Sequence, residues 1–319
     1  MPTLSTSIAD ALTALRRGEL VAMPTETVYG LAANACDETN VQQIYRLKGR
    51  PSHNPLIVHV ANAAMAQRYV TWNALAQALS EAFWPGALTL ILPKRAECPI
   101  APSVSAGGDT LAMRCPAHPI AHALIDAFDG GLAAPSANRS GRLSPTRAAH
   151  VAEEFADSDL LILDGGACQI GLESTVVDCT GDTPRVLRPG SISEDTLVSV
   201  TPAKASIQPT VTMDPCLRRG DETALKSPGL LTSHYAPSLP VRLNAREKRA
   251  GEALLGFGEM PCDKNLSFSG DLPEAAANLF DYLRELDQPR YNCIAVAPIP
   301  ESGIGAAIND RLRRAAADR

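Results

Sequence analysis

The sequence predicts an α/β fold in two unequal domains, on three observations. Short apolar runs alternate with helical periodicities through residues 1–200, the pattern of strands and helices packed in layers. Between 201 and 240 that alternation fails while Pro, Ser, Thr and Lys accumulate. Beyond 240 it resumes in a shorter unit. The expected division is a first domain over 1–200, a linker over 201–240 and a second domain over 241–319.

Taken in order, Ile8, Leu12 and Leu15 recur at helical spacing, and 20–23 reads as a buried strand. Val41, Ile44, Tyr45 and Leu47 mark a helix that ends at the break over 48–51. Residues 56–60 read as a strand, 75–83 as a helix and 88–92 as another strand. Short strands at 110–114, 132–134, 160–163, 175–177 and 186–188 complete the first domain. The linker is long for a simple connection, and its stretch 213–222 (MDPCLRRGDE) reads as a surface insertion without an apolar face. In the second domain 253–257 and 294–297 read as strands, and 273–286 as a strongly amphipathic helix. Gly303 and Gly305 precede a last helix, 306–317, whose polar face is rich in arginine. Neither Gly256-x-Gly258 nor Gly303-x-Gly305 completes a dinucleotide-binding motif, so both read as loop glycines.

The 319 residues are 45% apolar with a mean hydropathy of −0.04, ordinary for a chain with real cores. No apolar stretch approaches the roughly 20 residues that span a bilayer, and no secretory leader is visible. Eight cysteines stand singly, with no Cys-x-x-Cys pair. That fits reduced thiols in a cytoplasmic protein better than a disulfide framework or a zinc site. The net charge of −6 resides in residues 1–200, where 14 Lys and Arg face 20 Asp and Glu. A general nucleic-acid binder would be basic instead. An anion site here needs the few cations gathered together, and Arg46, Lys48 and Arg50 form one such group. Arg139, Arg142 and Arg147 form another, and Arg185 with Arg188 a third.

Five segments carry chemistry. Pro24-Thr25-Glu26-Thr27-Val28-Tyr29-Gly30 brings hydroxyls and a carboxylate off a strand end, where α/β sheets bind ligands; a plain turn explains it equally well. Lys48-Gly49-Arg50-Pro51, followed by Asn54 and His59, can set a mobile point charge and a two-pronged fork on a polyphosphate. A helix C-terminus also attracts cations for a simpler reason. Arg114, at a strand end, can clamp a carboxylate or form a surface ion pair. His118 and His122 have helical metal-pair spacing, but no acidic residue completes a metalloprotease pattern, so a helix face is expected rather than zinc. Ala134-Pro135-Ser136-Ala137-Asn138 and Ser144-Pro145-Thr146 allow close approach of backbone and ligand. Ser144 could equally cap a helix starting near Thr146, and Ser136 lacks the Gly-x-Ser-x-Gly of a hydrolase elbow. Ser174 to Asp178 and Leu187-Arg188-Pro189-Gly190 again place polar groups at strand ends. There is no Walker A loop, so a nucleotide would be held without one.

In order along the chain, PTETVYGL, KGRPSHNPLIVH, WPGALTLIL, RCPAHPIA, APSANRSGRLSPT, ESTVVD and LRPG cover nearly all of 20–190. With SPGLLTSHYAP in the linker and GIGAAINDRLRRAAA at the end, the chain resembles the threonylcarbamoyl-AMP synthase family in its longer form. Ala87, where proline is commoner, and 213–222 depart from that pattern. The resemblance implies an α/β fold with a YrdC-like twisted mixed sheet, helices around a concave site, and a smaller Rossmann-like Sua5 C-terminal domain. It implies a cytoplasmic nucleotidyltransferase that joins L-threonine, bicarbonate and ATP into L-threonylcarbamoyl-adenylate and releases pyrophosphate. The product would pass to tRNA-threonylcarbamoyl transferase machinery for the modification of adenosine in tRNA. Mg2+ would accompany ATP without direct protein ligands, and neither stable tRNA binding nor a membrane is expected.

Residue by residue, the resemblance gives Lys48 and Arg50 to catalysis. It gives Arg50, Asn54, Thr110, Ser136, Asn138, Ser144, Arg188 and Tyr235 to ATP, with Tyr235 closing over the nucleotide. Thr27, His59, Arg114, Ala134 and Ser174 map to the threonine pocket, with Arg114 on the carboxylate. Two rivals share the fold. A non-enzymatic RNA-binding or ribosome-assembly module is disfavoured by the acidic first domain. A carbamoyl-transfer domain normally sits beside zinc-binding cysteine motifs and an acylphosphatase part, which this sequence lacks.

Overall fold

The computed structural model describes residues 1–200 and 235–317. Most of the expected linker, including 213–222, lies outside the described residues. In the first domain, β1 (Thr3–Ser5), β2 (Val21–Met23), β3 (Gly30–Asn34), β4 (Ile57–His59) and β5 (Leu88–Pro93) join one large sheet. It is completed by β6 (Thr110–Arg114), β7 (Leu132–Ala133), β8 (Leu161–Leu163), β9 (Thr175–Asp178) and β10 (Arg185–Arg188). The order is β1-β8-β2-β3-β7-β4-β6-β5-β9-β10, mixing parallel and antiparallel pairs. The second domain holds a smaller parallel sheet of β11 (Val241–Arg242), β12 (Glu252–Gly256), β13 (Lys264–Asn265) and β14 (Cys293–Val296). Its order is β11-β14-β12-β13. This is the α/β architecture the sequence predicts.

Strand alternation sorts the first domain into two faces. Val58, Leu90, Met113 and Val177 point into the main core, where Leu15, Ile44, Leu79 and Leu124 of four helices meet them. The intervening residues Ile57, Ile91, Ala112 and Val176 form a separate, smaller cluster. The helix Glu38–Lys48 is sharply bounded. The Asp37 carboxylate accepts the Thr39 and Asn40 amides at its start, and Gly49, at φ +60°, ends it in the left-handed region. Those two signals deliver Lys48 at the last helical position and Arg50 immediately beyond.

The domains share a second core. Val28, Leu143, Leu172 and Tyr235 pack with Leu255, Leu279, Phe280 and Ile308 of the second domain. Around it, Asp281 accepts Arg147 Nε at 3.0 Å and faces His150 Nε2 at 3.2 Å. Arg284 Nη2 donates to the Leu143 carbonyl at 3.1 Å. All seven cysteines among the described residues are free. No helix among those residues is long and apolar enough to cross a membrane.

At Gly171 the second domain comes close enough to forbid a side chain. Its φ is +72°, and a Cβ there would lie 2.6 Å from both the Ala276 oxygen and the Ala277 Cα. Backbone cannot turn aside as a side chain can. Gly171→Ala should destabilise the full chain by roughly 2–4 kcal/mol through strain and overpacking, read as a lowered Tm. An unchanged Tm would show that the domains are not in contact at this point.

Candidate active site

One register line across five strands builds the site. His59 of β4 pairs with Arg114 of β6, and Arg114 with Thr89 of β5. Thr89 pairs with Val176 of β9, and Val176 with Arg188 of β10. Residues directly opposite in a ladder share a face, so His59, Arg114 and Arg188 stand on the side floored by Ile57, Ile91, Ala112 and Val176. Arg188 arrives there through a bulge. Val186 pairs with Val177, but Arg188 pairs with Val176, leaving Leu187 as an extra residue. Over this row opens a cleft of about 540 Å³, including its mouth, also walled by Arg50, Ser136, Glu173 and Tyr235.

The Arg114 side of the cleft is polar and tightly bonded. Arg114 Nη2 donates to Glu26 Oε1 at 2.6 Å and its Nε to the Gly86 carbonyl at 3.3 Å. The other Glu26 oxygen accepts the Ala117 amide at 3.1 Å. Thr27 is fully buried, its hydroxyl 2.8 Å from that of Thr25. Burial, helped by the Arg114 charge, pushes the His59 imidazole down to about 3, so the ring is neutral near pH 7. Its Nδ1 is buried without a partner among the described residues. Ala134 lines the cleft, its amide bonded to the Ile57 carbonyl at 2.9 Å. The Ser174 hydroxyl meets Thr89 Oγ1 at 2.7 Å and accepts Arg188 Nη2 at 3.1 Å. Arg188 Nη2 also donates to the Ser174 carbonyl at 2.9 Å.

The cations near Ser136 are equally enclosed. Arg50 donates to the Asn54 side-chain oxygen at 2.6 Å and to the Pro55 carbonyl at 2.8 Å. Burial pulls its guanidinium down to about 10. Asn54 Nδ2 is buried without a partner among the described residues. β3 holds the Ser136 loop, since Leu31 N donates to the Pro135 carbonyl and Ala137 N to the Tyr29 carbonyl, each at 2.8 Å. Lys48 Nζ lies behind this loop. It donates to the Ser136 carbonyl at 2.6 Å and to the Asn138 carbonyl. Burial, followed by the Arg50 charge, holds its ammonium well below the ordinary lysine value. The Asn138 carboxamide ties the following turn, donating to the Arg139 and Arg142 carbonyls at 2.7 and 3.0 Å.

Glu173 joins the domains at the cleft wall. Its carboxylate accepts the Ser144 hydroxyl at 2.5 Å and Arg311 Nε at 2.9 Å. Burial alone would raise its pKa, but the Arg311 and Arg188 charges hold it below the usual carboxylate range. Tyr235 is buried at the wall, stacked on Phe280 with ring centroids 5.7 Å apart.

The register line and the loops around it thus bring together Thr27, Arg50, His59, Arg114, Ala134, Ser136, Ser174, Arg188 and Tyr235. Lys48 and Asn54 stand one contact behind them, on Ser136 and Arg50, Ser144 bonds to Glu173 of the cleft wall, and Asn138 connects to the site through Lys48. Thr110 starts β6 on the same face as Arg114 but about 13 Å away, at ~3.3 Å per residue, and is not among the residues lining the cleft. Ser144 does not cap the next helix, Ala148–Glu154, whose cap position is Arg147. His118 caps its own helix, accepting the Ile120 amide at 3.3 Å.

Three side chains in or bonded to the cleft wall carry no site assignment from the sequence: Glu26, Glu173 and Arg311. The arginine-rich face of the last helix, Ile304–Ala315, needs correcting, because Arg311 is completely buried while Arg313 is exposed. Helical spacing could have found it, since residue 311 shares the buried face of Ala307, Ile308, Leu312 and Ala315.

The Sua5/YciO/YrdC family model, described as telomere recombination, matches residues 13–190. The model of the threonylcarbamoyl-AMP synthase C-terminal domain matches residues 192–317. The threonylcarbamoyl-AMP synthase of Pyrococcus abyssi is 41% identical over 326 residues, covering 96% of this chain and 92% of that protein. That of Bacillus subtilis is 40% identical over 340 residues, covering 100% and 95%. The crystal structure of P. abyssi Sua5 complexed with L-threonine matches with a TM-score of 0.85 at 36% identity, covering 99% of this chain and 97% of that one. With agreement running through both domains in sequence and in fold, the chain belongs to the Sua5/YciO/YrdC family, as a two-domain member of the threonylcarbamoyl-AMP synthase type.

Proposed function

We propose that this chain is an L-threonylcarbamoyladenylate synthase acting on L-threonine, bicarbonate and ATP. The carrying observation is the row His59–Arg114–Thr89–Val176–Arg188, which sets Arg114 and Arg188 along one cleft that Arg50 also enters. One end suits a small zwitterion and the other a polyphosphate. The P. abyssi relative was crystallised with L-threonine.

In this reading Arg114, already steadied by Glu26, offers its remaining N–H groups to the threonine carboxylate. Thr27, neutral His59, the Ala134 backbone and Ser174 enclose the rest of the amino acid. The amine condenses with bicarbonate to a carbamate, losing water. A carbamate oxygen then attacks the α-phosphorus of ATP, and the bond to the β-phosphate breaks with its electron pair leaving on pyrophosphate. Such transfer needs positioning and charge neutralisation rather than a covalent protein nucleophile. Arg50 and Arg188 neutralise the phosphates. Lys48 holds Ser136 against them and adds its charge as pyrophosphate departs. Asn54, Asn138 and Ser144 keep these groups aimed, Tyr235 covers the nucleotide, and Thr110 meets it only at its far end. No group of three or more His, Cys, Asp or Glu among the described residues could hold a metal, and Glu173 is occupied by Arg311 and Ser144. Magnesium would enter with the phosphates of ATP, where it would supply charge neutralisation. The product would pass to cytoplasmic tRNA-modifying machinery.

Incubation with ATP, L-threonine and bicarbonate should yield threonylcarbamoyl-adenylate and pyrophosphate. Salt-sensitive RNA binding without turnover would replace this reading with the non-enzymatic RNA module.

Arg114→Lys keeps a charge beside Glu26 but loses the fork. Threonine affinity should fall by roughly 1.5–3 kcal/mol, with ATP affinity unchanged. Undiminished threonine affinity by calorimetry would remove Arg114 from the pocket.

Lys48 supplies a proton test. Its pKa is depressed in the free protein, and an arriving polyanion raises it again. At pH values between that depressed pKa and the ordinary 10.5, ATP binding should take up a proton. Calorimetry in two buffers of different ionisation enthalpy measures that uptake, and Lys48→Met should abolish it. Uptake that persists in Lys48→Met would assign the proton elsewhere.

A further inference from the structure

Arg311 belongs to the second domain, yet it touches Glu173 and the residue after Arg188 in the first domain and Tyr235 in the segment between the domains. Its Nε donates to Glu173 Oε2 at 2.9 Å, and its Nη1 donates to the Pro189 carbonyl, beside Arg188, at 2.9 Å. Its guanidinium carbon lies 5.4 Å from the centre of the Tyr235 ring. Asp310 Oδ2 accepts the same Nη1 at 2.8 Å. Through Glu173, whose other oxygen fixes the Ser144 hydroxyl, a continuous polar chain runs from the last helix into the cleft.

Packing does not explain this arrangement. Ala307, Ile308, Leu312 and Ala315 bury the same helix face with apolar side chains, and an apolar residue in place of a buried ion pair is often neutral or stabilising. A charge matters here because of what it faces. Glu173 lines the cleft, and an uncompensated carboxylate there would repel a triphosphate. Paired with Arg311, it repels far less and still accepts the Ser144 hydroxyl.

We propose that Arg311 is a positioning residue for the nucleotide. The second domain supplies the charge that makes Glu173 and Ser144 compatible with the phosphates of ATP, and that holds Tyr235 in the wall. This rests on the ATP reading of the cleft given above.

The test uses the full chain as wild type, Arg311→Met, Arg311→Lys and the double variant Glu173→Gln/Arg311→Met. Each is checked by thermal unfolding, then assayed for KM and kcat with ATP and with threonine varied separately. Arg311→Met should raise the KM for ATP about tenfold while the KM for threonine stays within about twofold. The double variant should regain at least about half of that loss on a logarithmic scale, because the orphaned carboxylate is gone. Arg311→Lys, keeping the charge on one prong, should show a rise of about threefold for ATP alone. Equal rises for both substrates, or additive losses in the double variant, would overturn the proposal and leave Arg311 as a domain tie. If Arg311→Met does not fold, Arg311→Lys and the double variant decide alone. An unchanged ATP KM in the lysine variant would then overturn the proposal, as would a double variant whose ATP KM rises tenfold or more. Wild type that does not turn over ATP would sink the functional reading and this inference together, whereas normal turnover with indifferent variants would sink only the inference.

Discussion

Buried cations must find oxygen partners, and that requirement organises the first domain. Lys48, Arg50, Arg114, Arg188 and Arg311 are all buried around one cleft. Taking each from water costs several kcal/mol even after relaxation. Backbone carbonyls do much of the compensating, from Ser136 and Asn138 for Lys48, Asn54 and Pro55 for Arg50, and Ser174 for Arg188. Glu26, Glu173 and Asp310 answer Arg114 and Arg311. Carbonyl dipoles satisfy a donor without cancelling its charge. A chain with net charge −6 can therefore keep a cationic cleft, and the loops that present those carbonyls are fixed in place by the cations they serve.

The second domain is part of the same solution. Tyr235 has a φ of +61°, a strained conformation for a residue with a side chain. Phe280 and Arg311 meet its ring. The next residue donates its amide to the Gly141 carbonyl, and the Asp287 carboxylate accepts the Ser238 and Leu239 amides. That short stretch is bound both to the loop after Asn138 and to the second domain. Moving either body would change the wall of the cleft.

Legibility in the sequence follows how local each cause is. The strands β2, β4, β5 and β6 show as apolar runs because both faces of the sheet are buried there. β3 does not show, since Gly-Leu-Ala-Ala-Asn has little strand preference and is held by its neighbours β2 and β7. The segment around Lys48 and Arg50 is legible because a helix stop and two cations coincide. That Lys48 would turn to the Ser136 and Asn138 carbonyls is not, because those lie some ninety residues on. Ser144 looks like a helix cap in sequence, and its bond to Glu173 exists only after folding. Arg311 is hidden for a different reason: an arginine suggests solvent even at a spacing that means burial.

The bulge in β10 makes the site a matter of parity. Along a strand, side chains alternate between faces, so which side an arginine serves depends on whether the count before it is odd or even. Leu187 is the residue that changes the count. Two sequences could share every apolar residue of this strand and the Arg-Pro-Gly after it, yet differ by one position ahead of the arginine. In one the guanidinium would stand over the cleft; in the other it would be driven among the helices. An aligner that opens a gap here treats it as a minor length difference in a short strand. Physically it separates a chain that can complete the cationic row from one that cannot, so the number of residues between Arg185, which pairs with Asp178, and Arg188 is as diagnostic as their identity.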